Sequence, residues 1–253
     1  YYETPETNLA AAQLAKLDHV CRKIDLQPGM TVVEAGCGWG ALALHMAEHY
    51  GVSVHAYNVS KAQVEWARAR AAERGLEDRV RFVLDDYRNI NEHCDRFVSV
   101  GMLEHVGPAN YRVLGDLVKR VLEPEGLALV HSIGRSYPRV ADAWIRKYIF
   151  PGGHIPSLGE MAEIFEPHRF TVLDVENLRL HYARTSADWL ANFEAVTDRV
   201  TERFDEVFSR MWRLYLAGSS AGFQSGTLQL YQVVFAHGDN NDVPRTRAYM
   251  YPR

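Results

Sequence analysis

Apolar positions change their spacing along the chain, which divides it into alternating helical and extended segments. From Asn8 to Ile24 apolar residues recur every three or four positions, and this spacing predicts an amphipathic helix. Short apolar runs that predict five strands lie at 31–35, 52–57, 80–84, 97–100 and 127–132, with helical patterns at 41–50, 61–74 and 111–122. This alternation is typical of βαβ units on a parallel sheet, whose ligands lie at the carboxyl ends of the strands.

The pattern changes after the fifth strand. Residues 137–157 contain three prolines and several aromatic side chains, helical patterns follow at 158–166 and 187–216, and 229–235 is a returning strand. We therefore predict an α/β fold with a doubly wound, mostly parallel sheet in a single domain over 1–253. Within it, 137–225 is expected to be a helical, aromatic-rich insertion.

Composition and charge exclude several classes of protein. The 253 residues are 47% hydrophobic and 24% charged, which excludes a mainly disordered chain. A net charge of −4 gives no basic surface for nucleic acid. The three cysteines have no Cys-x-x-Cys spacing, so we expect no metal site and no disulfide framework, and a reducing cytoplasm suits them. No apolar run reaches 18 residues, so neither a membrane span nor a secretory signal is predicted.

A glycine turn follows the first strand. Gly36, Gly38 and Gly40 come directly after a strand that contains Glu34. A dinucleotide turn would have its third glycine one position later, where this chain has Ala41. The carboxylate and the glycines suit a ligand with a cationic sulfonium and an α-amino group, as in S-adenosylmethionine. The alternative is a tight turn without a ligand.

Further cofactor contacts are expected at the ends of the second and third strands. Asp86 can accept the adenine amine, and Asn58 stands where methyltransferases of this sheet type have an acidic residue for the ribose. The ribose contact would pass to Asn58 or Gln63; alternatively, Asn58 is a turn residue and Ser60 caps the helix. The expected cofactor-binding residues are Glu34, Gly36, Gly38, Trp39, Gly40, Asn58, Ser60, Gln63, Asp86 and Tyr87.

Six short segments follow one another in a distinctive order. They are E-A-G-C-G-W-G at 34–40, D-D-Y-R at 85–88, V-S-V-G-M-L-E-H-V-G at 98–107, H-S-I-G at 131–134, K-Y-I-F-P-G at 147–152 and Q-L-Y-Q-V-V-F at 229–235. Together they resemble the cyclopropane-fatty-acid synthases and the related mycolic acid cyclopropane synthases and methyltransferases. The resemblance extends over roughly residues 1–238 and implies a sheet of the class I methyltransferase type.

The resemblance also implies an activity and a site. A methylene or methyl group passes from S-adenosylmethionine to a cis double bond of a phospholipid acyl chain, and bound bicarbonate deprotonates the resulting carbocation to give a cyclopropane fatty acid. Carried over residue by residue, the bicarbonate site comprises Glu104, His131, the backbone at Ile133, and Tyr182. Without the family, Glu104 and His105 would be interpreted as a pair that caps the following helix, and His131 as a core histidine.

The sequence is also compatible with two alternative functions. A fatty-acid methyltransferase would give a methylene- or methyl-branched acyl chain from the same cofactor and alkene. A lipid-binding protein on an inactive methyltransferase fold is the alternative of another class, and the intact glycine turn disfavours it.

The aromatic-rich stretch from Trp144 to Tyr215 is the predicted cover of the acyl chain, with Trp144 or Tyr148 near a long apolar cavity. Phe204, Phe208, Met211 and Trp212 have helical spacing that favours an ordinary helix core over a channel.

The expected partners are unsaturated phospholipid acyl chains and, peripherally, the inner face of the membrane, with no nucleic acid. A homodimer is left open. The given sequence begins at Tyr1, just after the expected position of the family's Tyr-Ser-Cys-Ala-Tyr-like segment, and without an initiator Met, so the gene product is expected to begin earlier. What precedes Tyr1, including that segment and any N-terminal domain, is left open.

Overall fold

A computed structural model describes residues 1–251, in which seven strands form one sheet. The strands are β1 (Thr31–Ala35), β2 (Ser53–Asn58), β3 (Val80–Leu84), β4 (Cys94–Val100), β5 (Leu122–Gly134), β6 (Phe170–Asn177) and β7 (Gln229–His237). Their order across the sheet is β3-β2-β1-β4-β5-β7-β6. The first five strands are parallel, and β7 runs antiparallel to β5 and β6. The predicted mostly parallel sheet is therefore confirmed.

Local sequence signals account for where several helices begin. The helices are α1 (Leu9–Lys23), α2 (Ala41–Tyr50), α3 (Lys61–Glu73), α4 (Leu103–Val106), α5 (Tyr111–Val121), α6 (Ala143–Tyr148), α7 (Leu158–Phe165), α8 (Arg179–Glu194), α9 (Thr197–Arg203) and α10 (Glu206–Ser225). The side chain of Asn8 accepts a hydrogen bond from the N–H of Ala11 and so caps α1. Ser157 and Glu160 form a reciprocal capping box at the start of α7.

Both faces of the sheet are covered by helices. Successive strand residues point to opposite faces, so Val32 belongs to the core cluster that contains α1 and α2 residues, and Val33 belongs to the cluster that contains α5 and α7 residues. Burial on both faces explains why the central strands are almost continuously apolar. The carboxyl ends of the parallel strands β1, β4 and β5 therefore lie together at one edge of a sheet that is packed on both faces.

The main differences from the predicted elements lie in the second half. β6 was not predicted, because this edge strand is fully buried only at Phe170 and therefore has no long apolar run. The helical pattern predicted over 187–216 is divided among α8, α9 and α10, and β5 is longer than predicted. No helix within residues 1–251 combines the length and hydropathy that crossing a membrane requires.

The predicted insertion at 137–225 is not one continuous cover. Ile164 and Phe165 of α7 are buried in the same core cluster as Val130, and β6 pairs with β7, so this part completes the main fold. Within 137–225, the cavity described below is lined by side chains of α6, α8 and α10 and of the segment between α6 and α7.

Candidate active site

A cavity of about 430 Å³ lies at the carboxyl ends of β4 and β5. Gly101 follows β4, and His131 lies near the end of β5. The other walls are largely apolar and aromatic, and they include Ile145, Phe150, Tyr182, Trp189 and Tyr215. This is the position at which parallel α/β sheets bind their ligands.

The carboxylate of Glu104 enters this cavity from α4. Its Oε1 accepts a hydrogen bond of 2.7 Å from the backbone N–H of Ile133, while Oε2 is buried with no hydrogen-bond partner among residues 1–251. Burial raises the pKa of Glu104. The interpretation that Glu104 and His105 cap the helix is wrong, because both lie inside α4 and its start has no side-chain cap.

The contact with Glu104 involves Ile133, whose backbone was expected to belong to the bicarbonate site. Its N–H donates to the carboxylate. In this structure Ile133 orients Glu104.

His131 is both a buried histidine and a wall of the cavity, with 8% of its surface exposed. Its Nδ1 lies 3.0 Å from Nε2 of Gln232. Burial, with smaller contributions from the positive charges of Lys16 and Lys23, lowers the pKa of His131 to about 3. The imidazole is therefore neutral near pH 7.

Tyr182 reaches the same cavity from α8. Its ring packs edge-on against Phe223 at 4.8 Å and Trp189 at 5.8 Å between ring centroids. Burial raises the pKa of Tyr182, so the phenol keeps its proton and can donate it in a hydrogen bond. The fold thus brings together Glu104, His131 and Tyr182, although 78 residues of sequence separate the first from the last.

Glycine is required at two positions of the turn for different physical reasons. A Cβ at Gly40 would lie 2.7 Å from the Phe82 ring and 2.8 Å from Ala67, so packing within the protein excludes a side chain there. At Gly38 the φ angle is +54° and a Cβ would meet nothing within 4 Å. Gly38 therefore faces free space, as expected of a position that a ligand approaches.

Glu34 lies in β1 just before the turn and is buried, with 2% of its surface exposed. Its Oε2 has no partner in the described part of the chain. Burial raises the pKa of Glu34 to about 7, although the charge of Lys16 partly opposes the increase. A buried carboxylate oxygen without a partner is suited to a cationic group of a ligand.

Asn58 connects the glycine turn to α3. Its Nδ2 donates to the Gly38 carbonyl at 3.0 Å and to Gln63 Oε1 at 2.8 Å, and its Oδ1 accepts from the N–H of Ser60. The interpretation of Asn58 as a turn residue is therefore supported. Ser60 is the N-cap residue of α3, as the alternative interpretation placed it, but its side chain forms no cap bond.

The other predicted cofactor residues lie nearer the surface. Both carboxylate oxygens of Asp86 accept hydrogen bonds from Arg88, at 2.9 and 2.7 Å, and this pairing lowers the pKa of Asp86. Trp39 is 55% exposed and lies edge-on to Trp66 at 6.1 Å. Tyr87 packs against the core cluster on the α5 side of the sheet.

The expectation that Trp144 or Tyr148 lies near the cavity is wrong. Trp144 and Tyr148 pack against each other at 6.1 Å and do not line the cavity, whereas Ile145 and Phe150 do. Adjacent helical residues point about 100° apart, so Ile145 of α6 can face the cavity while Trp144 borders a surface groove beside α10.

The aromatic residues that were expected to form a helix core are not buried. Phe204 is 57% exposed, and a stacked row runs from Phe204 to Phe208 at 4.5 Å and on to Trp212 at 6.1 Å. Tyr215 continues this row at 5.2 Å from Trp212 and reaches the cavity. Helical spacing showed that the α10 residues share a face, but Phe208, Met211 and Trp212 on that face are only half-buried.

Sequence reasoning did not single out Gln232. It is completely buried beside His131 in β7. The glutamine in the middle of the run Q-L-Y-Q-V-V-F was the available signal, because a buried polar side chain needs a hydrogen-bonding partner.

Comparisons with known proteins agree with these observations. The family model described as Mycolic acid cyclopropane synthetase matches residues 1–233. The chain is 43% identical over 235 residues to a cyclopropane-fatty-acyl-phospholipid synthase of Escherichia coli, covering 92% of this chain and 60% of that relative. It is 37% identical over 263 residues to a probable fatty acid methyltransferase of Pseudomonas putida, covering 99% of this chain and 66% of that relative. The chain thus spans less than two thirds of the length of both relatives.

The solved structure of mycolic acid cyclopropane synthase CmaA1, complexed with SAH and CTAB, superimposes with a TM-score of 0.87 at 31% identity. The superposition covers 93% of this chain and 87% of that one. It confirms the predicted sheet of the class I methyltransferase type. The chain therefore belongs to the mycolic acid cyclopropane synthetase family.

Proposed function

We propose that this protein is an S-adenosylmethionine-dependent cyclopropane-fatty-acyl-phospholipid synthase. The observation that carries the proposal is the convergence of Glu104, His131 and Tyr182 on one largely apolar cavity. The glycine turn stands at the same edge of the sheet, because β1 and β4 are parallel neighbours. The name of the Escherichia coli relative supports this function.

The residues around the glycine turn fit S-adenosylmethionine. Gly38 leaves open space, and Glu34 Oε2 can accept hydrogen bonds from the α-ammonium group. The ribose hydroxyls can be held by Gln63, whose Oε1 already receives the amide of Asn58. When bound, S-adenosylmethionine supplies an electrophilic methyl group on a sulfonium.

The polar groups of the cavity fit a small anion with one proton, as in bicarbonate. The Tyr182 hydroxyl can donate an O–H hydrogen bond and the neutral His131 ring an N–H hydrogen bond. An ionised Glu104 can accept the proton of the anion through Oε2. Bicarbonate, when bound, supplies the base for the proton that ring closure releases. Glu104 is held for this task by the N–H of Ile133.

The remaining cavity walls fit an acyl chain on which positive charge develops. Phe150, Tyr182, Trp189 and Tyr215 present aromatic rings to the cavity. The faces of such rings stabilise a nearby cation electrostatically, while the apolar walls keep water away from it.

The test is lipid analysis in an Escherichia coli strain that lacks its own synthase. Wild-type protein should give phospholipids that are one CH2 heavier and show the high-field proton resonances of a cyclopropane ring. The Gly38→Val variant, expressed to the same level, should give none. Retained cofactor binding with no new lipid would instead support the inactive lipid-binding alternative.

A fatty-acid methyltransferase that makes branched chains is the second candidate, and the name of the Pseudomonas putida relative favours it. It would use the same cavity residues but lose the proton elsewhere. A methylene-branched product has the same mass as a cyclopropane, so vinylic proton resonances in place of ring resonances would identify this activity.

We also propose that the protein contacts the inner face of the membrane through α10, as a peripheral protein of the cytoplasm. Phe204, Val207 and Leu214 are exposed, Arg210 adjoins them, and Tyr215 leads from this surface to the cavity. Val207→Asp should reduce cosedimentation with vesicles of unsaturated phosphatidylethanolamine and phosphatidylglycerol. Val113→Asp, at an exposed valine on α5, should not. The homodimer stays a prediction, which sedimentation equilibrium would test.

A further inference from the structure

His131 and Gln232 are direct cross-strand partners in the antiparallel pair of β5 and β7. Residues directly opposite one another in such a pair project from the same face of the sheet. Both side chains are buried, and Gln232 is completely inaccessible to solvent. Nδ1 of His131 and Nε2 of Gln232 lie 3.0 Å apart.

The identity of these two atoms determines where the imidazole proton resides. An amide nitrogen can only donate, so Nδ1 of His131 must be the acceptor. A neutral imidazole that accepts at Nδ1 carries its proton on Nε2. The ring borders the cavity, where this N–H is a donor for a bound group.

The amide orientation is an assignment that the surroundings support. As placed, Gln232 leaves its Oε1 and one amide hydrogen without a partner in the described structure. The reversed amide would place its oxygen against Nδ1 and both of its hydrogens where Oε1 now lies without a partner. Buried N–H groups without partners are rarer than carbonyl oxygens without partners, which favours Nε2 as the atom that faces His131.

We propose that Gln232 is a positioning residue, which fixes His131 as the Nε2-protonated tautomer and so makes it a hydrogen-bond donor to the anion in the cavity. The identity of that anion as bicarbonate rests on the proposed function, whereas the tautomer does not. Without Gln232, the ring would be free to place its proton on Nδ1 and to present a lone pair to the anion, which would repel it.

The primary test reads the tautomer directly. Long-range proton–nitrogen correlation spectra of protein labelled with 15N-histidine, with the His131 signals identified by their loss in His131→Asn, should show a protonated Nε2 and an unprotonated Nδ1. Protonation at Nδ1 in the wild-type protein would overturn the proposal, whether or not the enzyme is active.

The second test uses Gln232→Met, which preserves length and removes the donor. The His131 nitrogen signals should shift towards a mixture of tautomers, and the affinity for inorganic bicarbonate, titrated with S-adenosylhomocysteine present, should fall roughly ten- to a hundredfold. The affinity for S-adenosylhomocysteine itself should be unchanged. Unaltered His131 signals in this variant would show that Gln232 does not select the tautomer.

Gln229→Met is the matched control. Gln229 is also a buried glutamine of β7, but its amide bonds to Asn177, Ser136 and Gly226. This variant should leave the His131 signals and the bicarbonate affinity as in the wild type. Absence of lipid activity in a wild-type protein with the expected tautomer would count against the proposed function alone.

Discussion

Glu104 and Ile133 are joined by a hydrogen bond of 2.7 Å from the backbone N–H of β5 to carboxylate Oε1. This single contact fixes the carboxylate so that its second oxygen is buried and free of partners within residues 1–251. A carboxylate held by one oxygen is well suited to receive a proton-bearing anion with the other. In this arrangement Glu104 would hold the base, and the bound anion would be the base.

The first prediction distinguishes these two tasks. Glu104→Gln keeps an oxygen that can accept from Ile133 but replaces Oε2 with a donor. Loss of one contact to a charged group should weaken bicarbonate affinity by about 1.5 to 3 kcal/mol, and higher bicarbonate should partly restore lipid cyclopropanation. Affinity for S-adenosylmethionine, measured by calorimetry, should hardly change. A wild-type enzyme that is fully active in carbon-dioxide-free buffer, with a variant that bicarbonate cannot rescue, would make Glu104 itself the base.

The second prediction concerns the open space at Gly38. Gly38→Val should weaken S-adenosylmethionine binding by more than about tenfold, or about 1.4 kcal/mol, because its side chain would occupy that space. Gly75→Val is the control, since Gly75 has a similar positive φ of +64° and also has nothing within 4 Å of a Cβ. Both substitutions should cost similar backbone strain, about 1–2 kcal/mol, so their melting temperatures should be similar. Calorimetry that finds equal cofactor affinity in the two variants would remove Gly38 from the cofactor site.

The third prediction follows from the raised pKa of Glu34, about 7 in the folded protein. The unfolded carboxyl ionises near 4.5, so the folded state retains the proton to higher pH, and this contribution to stability is lost as pH rises from about 4.5 through 7. Glu34→Gln should remove this loss, which is on the order of 3 kcal/mol.

The measurement is urea unfolding at pH 5 and pH 8. The decrease in the free energy of unfolding between these pH values should be smaller in Glu34→Gln than in the wild type, while the variant's affinity for S-adenosylmethionine should fall. An identical pH dependence in the two proteins would mean that Glu34 is ionised throughout.

The fourth prediction concerns the ribose contact. Gln63→Ala should weaken S-adenosylhomocysteine binding by about 1 to 2 kcal/mol, the magnitude of one lost hydrogen bond with its partner left unsatisfied. Lys61→Ala, on the same helix with an exposed side chain, should have no measurable effect in the same titration. Equal affinities for the two variants would indicate that Gln63 serves only to hold Asn58.

Several parts of the site could be predicted because they depend on residues close together in sequence. The turn at Gly36–Gly40 could be predicted because a strand pattern, three glycines and a helix pattern follow one another within one short segment. The motifs that contain Glu104 and His131 are similar enough to those of the family for the resemblance to be identified from the sequence. Helix starts such as Asn8 and Ser157 were equally local, because a cap bonds to backbone within its own first turn.

Contacts between residues that are distant in sequence were decided only by the tertiary structure. Helical spacing placed Phe208 and Trp212 on one face of α10, but whether that face meets a neighbour or solvent depends on how α10 packs against α8. The bond between His131 and Gln232 joins residues 101 positions apart, and it exists because β5 and β7 pair in one particular register. Steric preferences of the backbone act over a few residues and determine elements, whereas strand register and helix orientation are fixed by packing across the whole core.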